Sequence, residues 1–116
     1  MTVAGPAAPP LTGIRVLDLT RIVAGPFCTM QLADLGAEII KIERPGHGDD
    51  TRHFKPPEAG GESHFYLAFN RGKKSIALDL SSDEGLDIVH QLAAKCDVLI
   101  QNFRPGVMAR LGLDYD

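Results

Sequence analysis

Ile14-Arg-Val-Leu-Asp-Leu-Thr-Arg-Ile-Val-Ala-Gly-Pro-Phe-Cys-Thr-Met-Gln-Leu-Ala-Asp-Leu-Gly-Ala-Glu-Ile-Ile-Lys-Ile-Glu-Arg-Pro45 reads as strand, helix, strand. Residues 14–19 form a short run of branched apolar side chains, the pattern of a strand buried on both faces, and residues 37–42 repeat it after a helix-length interval. Strands joined by such a crossover run parallel. Gly25-Pro26 predicts a helix opening, because proline's fixed φ suits the first turn and its missing N–H costs no bond there. Gly36 stands where a left-handed cap ends the helix. Residues 27–35 between them are predicted helical, with Cys28, Leu32 and Leu35 on the face that lies against the sheet.

A βαβ unit sets a helix N-terminus at the carboxyl end of a strand, where free N–H groups and the helix dipole favour an anionic or carbonyl oxygen. Residues 20–25 line that position. The turn holds no GxGxxG, which excludes an ordinary nicotinamide-dinucleotide domain.

With 116 residues, of which 44% are hydrophobic, the chain can bury one core. A net charge of -3 and a pI near 5.7 argue against a nucleic-acid or membrane-surface partner. The basic run Arg71-Gly-Lys-Lys74 is read as a solvated turn. No apolar stretch approaches the roughly 20 residues that span a bilayer, and no signal pattern opens the chain, so a cytoplasmic protein is expected. Cys28 and Cys96 read as small core residues. His47, His53, His64 and His90 match no zinc spacing, so no metal site is expected.

In chain order, residues 1–10 are rich in Ala and Pro and read as a disordered tail, and residues 11–116 as one α/β domain. Residues 45–61 read as a long loop, either functional or a surface excursion. Residues 62–70 suggest a short helix, stopped by Asn70-Arg-Gly72. Residues 75–80 alternate as a third strand with Ile76, Leu78 and Leu80 on one side. Ser81-Ser-Asp-Glu84 matches a capping box, and the helix it opens sets Leu86, Val89, Leu92, Ala93 and Cys96 on one face with His90 opposite. Residues 97–100 form a fourth buried strand, and residues 105–111 a final helix with Gly112 as its stop. Residues 101–106 thus mirror residues 20–26, and two helix mouths are expected to face one crevice. No closing element follows Gly112, so the domain reads as incomplete.

The blocks Leu11-Thr-Gly-Ile-Arg-Val-Leu-Asp-Leu-Thr20, Ala24-Gly-Pro26, Asp34-Leu-Gly-Ala-Glu-Ile-Ile-Lys-Ile-Glu-Arg-Pro45, Gly48-Asp49, Asn70-Arg-Gly-Lys-Lys-Ser-Ile-Ala-Leu-Asp79, Cys96-Asp-Val-Leu-Ile-Gln-Asn-Phe103 and Arg104-Pro-Gly-Val-Met-Ala-Arg-Leu-Gly112 together resemble the N-terminal part of class III CoA-transferases, the CaiB/BaiF family. The resemblance implies a Rossmann-like parallel sheet with flanking helices, part of an interlocked-ring homodimer. It implies a CoA thioester and a small carboxylic acid as substrates, with no permanently bound cofactor. It also implies covalent catalysis, in which an aspartate attacks the donor thioester. That aspartate lies in the family beyond the segment present here, so no catalytic residue is assigned and these 116 residues alone are expected to be inactive. Asp18, Asp34, Asp79 and Asp97 stand at element ends, where capping is the plainer role.

By the same resemblance Val23 and Ala24 contact the thioester end of CoA, Arg44 approaches the nucleotide, and Leu78, Asp79, Leu80 and Ser81 line the adenosine pocket. Asn102, Phe103, Arg104 and Arg110 complete the surface. Arg44 and Arg110 are permanent charges suited to phosphate oxygens. Formyl-CoA transferases carry glutamine where Val23 stands, and valine cannot hydrogen-bond an acyl intermediate. The pattern around it looks more like the succinyl-CoA:dicarboxylate branch. An α-methylacyl-CoA racemase of the same family, and a non-catalytic CoA-binding module, are the alternatives.

Overall fold

The computed structural model describes residues 4–116. Of the tail, residues 1–3 lie outside the described residues, and residues 4–9 are exposed with no regular element. Strand β1 (Arg15–Asp18), helix α1 (Ala24–Asp34) and strand β2 (Glu38–Glu43) form the expected crossover, and β1 pairs with β2 in parallel. Gly36 caps α1 with φ +101°, a conformation that costs glycine little.

The loop expectation for residues 45–61 needs correcting. A 3-10 turn covers Asp50–His53, and a small hairpin pairs β3 (Glu58–Ala59) with β4 (Glu62–Ser63). Helix α2 (His64–Asn70) follows, its first turn capped by Ser63. The third strand of the main sheet begins earlier than the alternation suggests, as β5 (Lys73–Ala77). Then come α3 (Asp83–Ala93), β6 (Val98–Ile100) and the short α4 (Val107–Arg110). The sheet is all parallel, ordered β5-β2-β1-β6. As an edge strand β6 is not fully buried, contrary to the apolar reading, and Val98 is exposed.

Helices cover both faces. On one, Leu17, Leu19 and Ile42 pack against Val89, Leu86, Leu92 and Cys96 of the α3 segment and Met108 of α4, as its spacing predicts. On the other, Val16, Ala37 and Ile39 meet Leu32 and Ala33 of α1.

The buried side of α1 is only in part the one the sequence suggests, since Leu32 packs against the sheet as expected but Cys28 and Leu35 do not. Gly25, Pro26, Thr29 and Met30 are buried, whereas Cys28 and Leu35 are exposed. Thr29 turns inward because its hydroxyl donates to the buried Asp18 carboxylate at 2.6 Å. The capping box also differs. Ser82, not Ser81, caps α3 by accepting the Gly85 N–H at 3.0 Å, which leaves Glu84 one position short of the reciprocal bond.

Candidate functional site

The chain reverses direction across the sheet between β1 and β6, and the carboxyl ends of the strands open there into a cleft of about 690 Å³. Each strand end contributes. Leu19 and Arg21 follow β1, Ile42, Glu43 and Arg44 close β2, and Leu78 to Ser81 follow β5. Phe103 and Arg104 follow β6, and Val107, Arg110 and Leu111 come from the α4 segment. Lys41, Gly48 and Asp49 complete the wall.

Eight of the residues assigned by resemblance therefore share one cavity: Arg44, Leu78, Asp79, Leu80, Ser81, Phe103, Arg104 and Arg110. Val23, Ala24 and Asn102 are not in its lining. Val23 instead precedes α1 as its N-cap, and the first turn of α1 is packed down, with Gly25 set against Thr20. Among the described residues, then, the α4 end opens into this cavity and the α1 end does not. A Cβ on Gly25 would lie 2.2 Å from the Thr20 Cβ, which is why that turn needs glycine. Asn102 works as a clamp between loops: its Oδ1 accepts the Arg21 N–H at 3.0 Å and its Nδ2 donates to the Arg21 carbonyl at 2.9 Å.

The four arginines of the cleft differ. Arg44 Nη2 donates to Asp50 at 2.8 Å at the rim, and His47 shares the same carboxylate oxygen. Among the described residues Arg21, Arg104 and Arg110 enter no ion pair. The Arg21 guanidinium lies 5.3 Å from the centre of the Phe103 ring, a cation–π geometry. A mixed wall of guanidinium, apolar and backbone groups suits a ligand that carries both phosphate and an apolar arm.

Behind the cleft runs a buried polar file that sequence reasoning missed. Lys41 Nζ donates to Asp49 Oδ2 at 2.8 Å and to the Thr20 carbonyl at 3.1 Å, with both side chains of the pair essentially inaccessible. Burial pushes the Asp49 carboxyl up, but the Lys41 ammonium and the Thr51 N–H and hydroxyl outweigh it and hold it below the ordinary range. Lys73, read as part of a solvated turn, is buried as well. Its ammonium donates to Asp18, to the Pro26 carbonyl and to Asn70, and burial pushes it down to about 8 against the pull of Asp18. A further knot joins Glu43 to Arg52, Ser75 and Tyr66, with the Arg52 guanidinium 3.7 Å from the Tyr66 ring centre. No buried side-chain polar atom among the described residues lacks a partner. The signal for this file was present: a lysine or glutamate inside an otherwise apolar central strand requires a buried partner. The four candidate aspartates also receive roles: Asp18 and Asp79 accept bonds from the loops that follow them, Asp34 pairs with Arg71, and Asp97 accepts the Arg15 N–H.

Among the described residues no cluster of His, Cys, Asp or Glu has the makings of a metal site, and no helix is long and apolar enough to cross a membrane.

Fold and cleft together define a Rossmann-like α/β domain whose open site lies at the carboxyl ends of its strands. A family model described as CoA-transferase family III matches residues 11–116. The chain belongs to the CoA-transferase family III. It is 55% identical over 107 residues to the human succinyl-CoA:glutarate CoA-transferase, covering 92% of this chain and 24% of that protein. It is 50% identical over 118 residues to the acetyl-CoA:oxalate CoA-transferase of Acetobacter aceti, covering 100% and 30%. A crystal structure of a CaiB/BaiF family protein from Brucella suis superposes with a TM-score of 0.88 at 44% identity, covering 94% of this chain and 30% of that one. The chain therefore spans 24% to 30% of the length of these relatives.

Proposed function

We propose that the cleft binds coenzyme A and that this chain is the CoA-binding portion of an enzyme moving CoA from an acyl-CoA donor to a carboxylic acid. The observation that carries the reading is the convergence of Arg44, Arg104 and Arg110 with the Leu78 to Ser81 segment on one cavity. Fixed guanidinium charges suit the phosphates, and the half-buried Leu80 and Phe103 supply apolar contact for the adenine and the pantetheine arm.

In the reaction, an aspartate outside these residues attacks the donor thioester carbonyl, forming an acyl anhydride and releasing the CoA thiolate. The thiolate attacks the aspartyl carbonyl, giving an enzyme thioester and the donor's free acid. The acceptor carboxylate attacks that thioester, forming a second anhydride and again expelling the CoA thiolate, which attacks the acceptor's carbonyl to give the new acyl-CoA and restore the aspartate. The names of the relatives favour transfer over racemisation, and the human one favours a dicarboxylate acceptor. The reading extends to a cytoplasmic location and to a homodimer, and the exposed apolar side chains Phe27, Phe65 and Leu67 on α1 and α2 support the association.

Calorimetric titration of the 116-residue chain with CoA, alongside its melting temperature, tests the binding claim, since a ligand selective for the native state raises that temperature. A folded sample that neither binds nor is stabilised by millimolar CoA overturns it.

A further inference from the structure

We propose that Arg21 is an anion-binding residue of the cleft and that the buried Lys41–Asp49 pair, together with Asn102, is the device that sets its position. The proposal rests on the cleft being the ligand site.

The backbone around Arg21 is held at four points. Lys41 Nζ donates to the carbonyl of the preceding Thr20 at 3.1 Å, and the N–H of the following Ile22 donates to the Asp49 carboxylate at 3.2 and 3.3 Å. Asn102 takes both the N–H and the carbonyl of Arg21 itself. The pair is matched in sign to the peptide groups it meets, ammonium on carbonyl and carboxylate on amide. Asp49 is itself fixed, because Thr51 donates both its N–H and its hydroxyl to Oδ1 at 2.9 and 2.7 Å.

Such a clamp would be excessive for an ordinary surface loop, and its cost is visible. Ile22 adopts φ +72°, a left-handed conformation that is an outlier for a β-branched residue. Strain of that kind, about 1–3 kcal/mol, persists only where the surroundings over-determine it. Burying a charged pair is also a poor route to stability, since an apolar pair of the same volume often does as well. What the strain secures is the direction of one side chain. Arg21 leaves the turn into the cleft, rests against Phe103 and meets no carboxylate among the described residues. A guanidinium presented in this way suits an anionic oxygen, either a phosphate of the nucleotide or a carboxylate on the acyl group.

The test is calorimetric titration of the chain with adenosine 3′,5′-bisphosphate, acetyl-CoA and succinyl-CoA. Arg21→Ala should lower affinity about 10- to 100-fold with at most a small fall in melting temperature, since the Phe103 ring, at the edge of the core, is the aromatic contact the side chain gives up. A loss shared by all three ligands assigns the contact to phosphate. A loss confined to succinyl-CoA assigns it to the acyl carboxylate. Asp49→Asn should weaken binding in the parent chain but not in the Arg21→Ala background, a coupling that general destabilisation does not produce. If Asp49→Asn does not fold, Asn102→Ala replaces it in the cycle. Equal affinity of the parent and Arg21→Ala for every ligand overturns the assignment of Arg21 and leaves the cleft reading standing. Full loss on Asp49→Asn in both backgrounds overturns the positioning role. Failure of the parent chain to bind any of the three overturns the cleft reading, and this inference with it.

Discussion

Asp18 Oδ2 and Lys73 Nζ lie 3.2 Å apart with side chains 0% and 2% exposed, joining the end of β1 to the start of β5 across 55 positions of sequence. Asp18 also accepts the Thr20 N–H and hydroxyl and the Thr29 hydroxyl, so one carboxylate ties a strand, a loop and a helix. Removing one partner of a buried pair strands the other charge, at a cost of about 3–5 kcal/mol. Lys73→Met should therefore lower the urea midpoint sharply. Adding Asp18→Asn should recover part of the loss, because no uncompensated charge then remains. A single variant as stable as the parent would show that the pair is not under tension in this core.

Glu43 gives the chain an acid sensitivity of definite sign. Burial raises its carboxyl, but Arg52, Ser75 and the Asp49 N–H overcome that and hold it at about 2, against an ordinary 4.5. A folded-state value below the unfolded one means stability fully present above pH 4.5 and lost as pH falls towards 2, about 3 kcal/mol in all. Urea midpoints at pH 6 and pH 3 should fall less for Glu43→Gln than for the parent. Glu38, also held near 2, titrates in both proteins and cancels in the comparison.

These two clusters mark the limit of what the sequence made legible. The crossover, the parallel sheet and the apolar face of α3 follow from periods within one segment, which a sequence displays directly. Lys73 looks like a solvated turn because its partner is 55 residues away, and Lys41 vanishes into an apolar run because a strand's period says nothing about which loop supplies a buried charge with its partner. Thr29 misled the choice of buried face on α1, since its polarity is spent on Asp18. The cleft residues were reached through the family's motifs. Arg21 carries no such mark, because the role proposed for it depends on bonds to the backbone on either side of it, which leave no pattern.

Among the rim arginines, Arg110 should matter more than Arg44. Arg110 enters no ion pair among the described residues, whereas Arg44 holds Asp50 at 2.8 Å and must give up that contact to reach a ligand phosphate. A charged hydrogen bond contributes about 1.5–3 kcal/mol, and the exposed pair offsets up to about 1 kcal/mol of it. Arg110→Ala should weaken CoA binding about 10- to 100-fold and Arg44→Ala by less, with Asp50→Asn strengthening it slightly. Titrations at low and moderate salt check this, because loss of a phosphate contact also flattens the salt dependence. The reverse order of effects would place the phosphates at the Arg44 rim.

Gly85 couples the stability of α3 to the shape of the cleft. A Cβ at this position would lie 1.9 Å from the Asp79 carbonyl oxygen and 3.0 Å from the Ser82 hydroxyl, because the segment leaving β5 folds back over the first turn of the helix. The obstacle is backbone, so a rotamer change cannot relieve it. The same carbonyl accepts both the Ser82 N–H and its hydroxyl, so moving it disturbs the cap as well. Gly85→Ala should therefore cost about 1–3 kcal/mol, the range for overpacking a close contact. Because Asp79, Leu80 and Ser81 line the cavity, CoA affinity should fall with it, while Glu84→Ala, one position earlier and exposed, leaves both nearly unchanged. Chemical denaturation and calorimetry on the two variants read these effects separately. A Gly85→Ala chain that is destabilised yet binds CoA as tightly as the parent would show that the ligand does not rest on the Asp79 segment.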